Sequence, residues 1–153
     1  MSLTHSPADV LRYALINAGG GSLPSSGSSW PIGCWQENET PDNVITLYDT
    51  SGNLDGRFQT DGEMQEHPGI QIRVRSANPL DGNTKIRQLM EIVDKGIRLT
   101  TVMIENPIGT AVSTYVIYAV TRIGTVLSIG KDTPQTKRSL FTVNMIISLR
   151  QTS

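Results

Sequence analysis

Two stretches of strict alternation constrain this chain more than any other feature. Between Gly69 and Ser76, Ile70, Ile72 and Val74 alternate with Gln71, Arg73 and Arg75. Between Ser139 and Arg150, Phe141, Val143, Met145, Ile147 and Leu149 alternate with Thr142, Asn144, Ser148 and Arg150. A period of two makes each stretch a strand with one apolar face, and such a face must be covered. Two amphipathic helices are available to cover it. The first is expected from Pro7 to Ala18: Ser6 can cap it, Pro7 suits the first helical position, and Asp9 meets the free amides of the first turn. Val10, Leu11, Ala14, Leu15 and Ala18 form its apolar stripe, and Gly19 to Gly21 end it. The second is expected from about Asn83 to Lys95, its start blurred by Pro79 and Gly82. Ile86, Leu89, Met90 and Val93 form its stripe, and Gly96 is a left-handed stop.

After Gly96 the pattern becomes β-rich and stays so. Leu99 to Ile104, Thr114 to Arg122, Thr125 to Ile129 and the final strand are separated by Asn106-Pro107, Gly124 and the run from Gly130 to Lys137. Tyr115 to Val120 is apolar on both faces, as in a central strand. Upstream, residues 19–29 have the composition of a Gly and Ser linker, Val44 to Tyr48 reads as a short strand, and residues 49–67 read as an acidic extended loop or loose hairpin. The expected fold is a single α+β domain over 1–153, a mainly antiparallel mixed sheet with two amphipathic helices packed on one face.

Composition excludes more than it suggests. Thirteen Lys and Arg against 14 Asp and Glu leave a net charge of -1, which provides no global field for nucleic acid or an anionic membrane. The lone Cys34 and two separated histidines, His5 and His67, do not make a closed metal site. No apolar run approaches the roughly 18 residues that span a bilayer, and the start lacks the pattern of a signal peptide, so a soluble cytosolic product is expected. Nucleophile-elbow, zinc-protease, dithiol and phosphate-loop patterns do not occur. The stretch from Asp49 resembles a calcium loop only until Leu54 stands at its glycine position and Thr60 at its bidentate-acid position. His67, before Pro68-Gly69, reads as a solvated loop residue. No catalytic residue, metal or cofactor is expected.

Charge is strongly polarised along the chain. Residues 37–66 hold eight acids and one arginine, whereas residues 67–153 hold five acids and eleven bases. Opposite patches on one chain suit head-to-tail contact between copies. Arg73, Arg75, Lys137 and Arg138 are the candidate basic contacts, with Trp30 and Trp35 as apolar anchors, each exposed ion pair contributing at most about 1 kcal/mol. On this reading residues 37–66 can be removed without unfolding the domain.

Two further stretches resemble a known family. Pro68-Gly69-Ile70-Gln71-Ile72-Arg73-Val74-Arg75-Ser76, leading into a helix, and Ile129-Gly130-Lys131-Asp132 followed by Arg138-Ser139-Leu140-Phe141-Thr142-Val143-Asn144 resemble the tail terminator or minor capsid proteins of tailed bacteriophages and prophages. The resemblance implies a non-enzymatic virion protein of the tail and neck, assembled in the host cytoplasm. It implies a homo-oligomeric ring, by expectation a hexamer, that caps the tail tube protein and docks to the head-connector protein, without membrane or sequence-specific nucleic acid as partner. A head-completion or connector stopper protein is the nearest alternative, and a binding module of the same fold class the next.

Overall fold

The computed structural model describes residues 3–24, 29–57, 64–105, 111–131 and 137–152. Helix α1 spans Pro7–Asn17, one residue short of expectation. The Ser6 side chain accepts the Asp9 amide at 3.2 Å and Asp49 accepts the Ala8 amide at 3.0 Å, so the first-turn donors are satisfied. Gly19 ends the helix at φ 85°. The next two glycines are packing positions rather than spacer: a Cβ on Gly20 would stand 2.9 Å from Leu89 Cδ2, and one on Gly21 2.5 Å from the Trp30 carbonyl oxygen. The linker reading is thereby corrected at its near end; residues 25–28 lie outside the described residues.

Strands β1 (Ile32–Cys34), β2 (Val44–Arg57), β3 (Met64–Ser76), β4 (Thr100–Glu105), β5 (Val112–Arg122), β6 (Leu127–Lys131) and β7 (Ser139–Gln151) form one sheet in the order β1-β2-β3-β7-β5-β4, with β6 also on β7. Only β1 and β2 run parallel. This is the expected α+β class with a mixed, mostly antiparallel sheet. Because β7 gives its other edge to β3, β5 and β6 share one edge: Tyr115 to Arg122 face Gln151 to Met145, and Leu127 to Lys131 face Thr142 to Ser139. They are two segments of one long strand, interrupted at residues 123–126.

Part of the expected acidic loop is strand. β2 continues well past Tyr48, and β3 begins at Met64, so of the two readings of 49–67 the structure has the hairpin and not the loop; residues 58–63 lie outside the described residues. Asp and Gly punctuation hid it, because two bulges absorb those residues, between Thr50 and Asn53 and between Leu54 and Gly56. Gly52, at φ 60°, is needed there: a Cβ would lie 2.2 Å from the His67 carbonyl oxygen. β3 pairs with β7 only from Gly69 onward. Beyond the Thr50–Gly69 pair, residues 53–57 pair with 64–67 as a two-stranded arm, at whose base His67 Nδ1 lies 3.5 Å from Ser148 Oγ on β7.

Helix α2 (Pro79–Glu91) starts four residues before the expected position. Asn78 caps it by accepting the Leu80 amide at 2.9 Å, and Pro79, read as blurring the start, occupies the first turn where its missing N–H costs nothing. It runs into a π-helical turn at Ile92–Gly96. Both helices and the inner sheet face make one core, which includes Leu11, Leu15, Ile72, Val74, Ile86, Leu89, Tyr115, Ile117, Val143 and Ile147. α1 touches β1, β2 and β3 as well as β4, so the sheet curls around it from both ends of its strand order. The residues before α1 fasten it: His5 N–H donates to Tyr115 Oη at 2.9 Å, its Nδ1 lies 2.7 Å from the same oxygen, and the Thr4 amide donates to Gln151 at 2.9 Å.

Candidate assembly surface

The acidic and basic segments that the sequence sets apart meet within one chain. Arg75 is 2% exposed. Its guanidinium donates to the carbonyl oxygens of Asn38, Glu39 (3.1 Å), Pro41 (2.8 Å) and Asp42 (3.2 Å), and reaches the Glu37 carboxylate at 3.4 Å. Arg73 Nε lies 3.2 Å from the other Glu37 oxygen. Arg138, also buried, donates to the Glu39 carbonyl at 2.9 Å and lies 3.6 Å from the Asp42 carboxylate. Three guanidinium groups thus hold residues 37–42 down on the outer face of β3 and β7. The reading of Arg75 as displayed to solvent is corrected, and Arg138 is likewise covered. Arg75 is on the outer face, as the alternation requires; residues 37–42, some 33–38 positions upstream of it, cover it, and strand periodicity carries no information about that loop.

The other candidates are dispersed. Lys137 is exposed, at φ 55°. Trp30 is half-buried against the core, with Lys85 Nζ 5.5 Å over its ring. Burial also lowers the pKa of Lys85. Trp35 is 57% exposed and its indole N–H donates to Asp49 at 2.8 Å. Beside it, burial pushes the Cys34 thiol up to about 12, with Arg12 opposing and Asp9 and Asp49 adding to the shift. His5 and His67 line one open cavity of about 470 Å³ between the start of α1 and the base of the arm. Among the described residues no group of three or more His, Cys, Asp or Glu is arranged to hold a metal ion, and no helix is long and apolar enough to cross a membrane.

The surface that sequence reasoning missed lies at the far edge of the sheet. β4 pairs with β5 from Thr100 opposite Ile117 to Glu105 opposite Val112. Val102 and Ile104 face the core, whereas Met103 is 65% exposed and Leu99, next to the strand, 73%. On β5, Tyr118 is 42% and Val112 41% exposed, with Val116 between them half-buried. The two-sided apolarity of Tyr115 to Val120 was the signal, and the central-strand reading of it is corrected: β5 is next to the edge, and its outer face is open. Among the described residues β4 has no strand beyond it, and it contains no proline and a single charge, Glu105, so it lacks the usual protections of a sheet edge.

The fold is a curled sheet closed on one face by helices, with one group of its exposed apolar residues, Leu99, Met103, Val112 and Tyr118, on the β4–β5 side. The sequence profile of the bacteriophage tail terminator protein family matches residues 14–104, and the chain belongs to that family. It is a structural phage tail protein and a virion component. No curated protein matches the chain.

Proposed function

We propose that this protein forms a ring that ends the growing tail tube and presents a face to the head connector, the hexamer being the expected size. The open β4–β5 edge carries this reading. A tail component with large apolar side chains on an unprotected strand edge needs a covering subunit, and identical copies around a tube supply one. Its place is the junction of tail and neck, and its partners are the tube protein below and the connector protein above. Chemistry is not part of the role.

The test is complementation of a phage lacking this gene. Infection without the protein should give tails of uncontrolled length by electron microscopy, and expression of the protein in trans should restore one length. Tails of normal length in its absence, with full heads that fail to join, would instead identify the head-completion role.

A further inference from the structure

We propose that the corner at the start of β4 in one copy, Arg98 and Leu99, docks just past β1 in the next copy, Arg98 on the Trp35 ring against Asp49 and Leu99 in the cavity beside them. The inference rests on the ring reading and names the contact that would close it.

Both places carry a backbone outlier. Trp35 has φ 64° and Leu99 φ 51°, in the left-handed region that glycine enters freely and a bulky side chain only under strain. Such strain persists where surrounding bonds over-determine it, and it gathers at sites of function. The Trp35 amide donates to the Leu47 carbonyl at 2.9 Å, the Gln36 amide donates to the Cys34 carbonyl at 2.8 Å across it, and the indole N–H is held by Asp49. The Leu99 amide donates to the Tyr118 carbonyl at 3.3 Å, and the Arg98 amide to Thr100 Oγ1 at 3.0 Å. The core gains little from either residue, since Trp35 is 57% and Leu99 73% exposed. Glycine would make each turn with less strain, so what the strain retains is an exposed apolar side chain.

The two places are complementary in chemistry. Trp35 follows β1, at one end of the strand order, and Leu99 precedes β4, at the other. Asp49 is exposed; one of its oxygens accepts the Ala8 amide and the other the Trp35 indole. It also lines the open cavity of about 470 Å³, whose apolar wall is Leu3, Pro7, Leu54 and Pro68. A carboxylate beside an exposed indole suits a guanidinium, which stacks on the ring while its N–H groups meet the charge. Arg98 is exposed and adjoins Leu99, so a single corner brings the cation for Asp49 and the apolar group for the cavity wall. Corner and receiver are different surfaces of the same chain. Each copy gives one and receives one, which makes the contact head-to-tail and lets it close as a ring.

Fluorescence, native mass spectrometry and calorimetry on the full chain test this. The wild type should be oligomeric. In Trp30→Phe, Trp35 is the sole tryptophan, and its emission should move to the blue and its quenching by acrylamide fall severalfold as the protein is concentrated into its oligomer. Arg98→Glu, at an exposed position, should weaken assembly at least tenfold with Tm unchanged. Leu99→Gly should weaken assembly by a similar factor while Tm stays level or rises, because glycine relieves the backbone. A leucine that served only the fold would lose both together. An oligomer in which Trp35 stays open to acrylamide, assembly that ignores the Arg98 and Leu99 changes, or assembly lost only in step with Tm overturns the docking and leaves the ring reading standing. A wild type that stays monomeric at every concentration overturns the ring reading and the docking together.

Discussion

A guanidinium with five acceptors around it holds more than its own strand. Arg75 fastens residues 37–42 to the outer face of the sheet; Glu39 also receives Arg138 and Glu37 also faces Arg73, whereas the carbonyls of Asn38, Pro41 and Asp42 are held by Arg75. Arg75→Met should therefore cost about 3–5 kcal/mol, because it takes the donor from several part-buried carbonyls and one of two partners from the Glu37 carboxylate. Arg73→Ala, which removes one half-exposed ion pair to the same carboxylate, should cost no more than about 1 kcal/mol. Urea unfolding of the two variants distinguishes them, and equal losses would mean that the loop is held by something else. Cys34 gives a prediction of the opposite kind, a slow reaction. With its pKa at about 12 the thiolate is scarce at pH 8, so labelling by a thiol reagent in the folded protein should lag far behind labelling in denaturant. The sign for stability follows: the folded state keeps this proton where the unfolded chain loses it. The contribution is complete below the ordinary thiol pKa of 9.0 and is lost as pH rises from there toward 12.

At the scale of elements, what was legible depended on whether the signal was local. α1, the strand from Gly69 to Ser76 and the final strand all follow from a period and a cap, and the structure has them close to the expected limits. Ile72→Ala should accordingly lose about 2–5 kcal/mol by creating a cavity at a fully buried position. The hairpin from Val44 to Ser76 was only half legible, since bulges break its alternation where Gly and Asp break its composition. The start of α2 was misplaced because Gly82 looks like a breaker. It is instead a packing requirement. A Cβ there would stand 2.8 Å from the Phe141 ring and 2.9 Å from Ser76 Cβ, and the serine Cβ is fixed to its backbone. Gly82→Ala should lower Tm by several degrees although alanine favours helix by about 1 kcal/mol, and calorimetry showing a rise would mean that the helix can move away from β7. The assembly face was illegible as such, because an apolar residue facing solvent and one facing a core look alike in a sequence.

For the whole molecule, cutting out residues 37–66 does not leave an intact domain, contrary to what charge alone suggests. It would delete Ile45 and Leu47 from the core and every acceptor of Arg75. A smaller change isolates the arm. Replacing residues 54–66 by Asn-Gly keeps the pairing of Asn53 with His67, so the protein should remain folded with Tm within a few degrees by calorimetry. A much larger drop would mean that the arm supports the sheet it extends. The ties that residues 4 and 5 make to the end of the chain also have a meaning in time. His5 waits for Tyr115, 110 residues later, and Thr4 for Gln151, 147 later. On a ribosome adding about 5–20 residues per second, α1 stays unfastened for on the order of ten seconds. Until β7 emerges the sheet cannot close around it, so the pace of translation sets when α1 takes its place in the core.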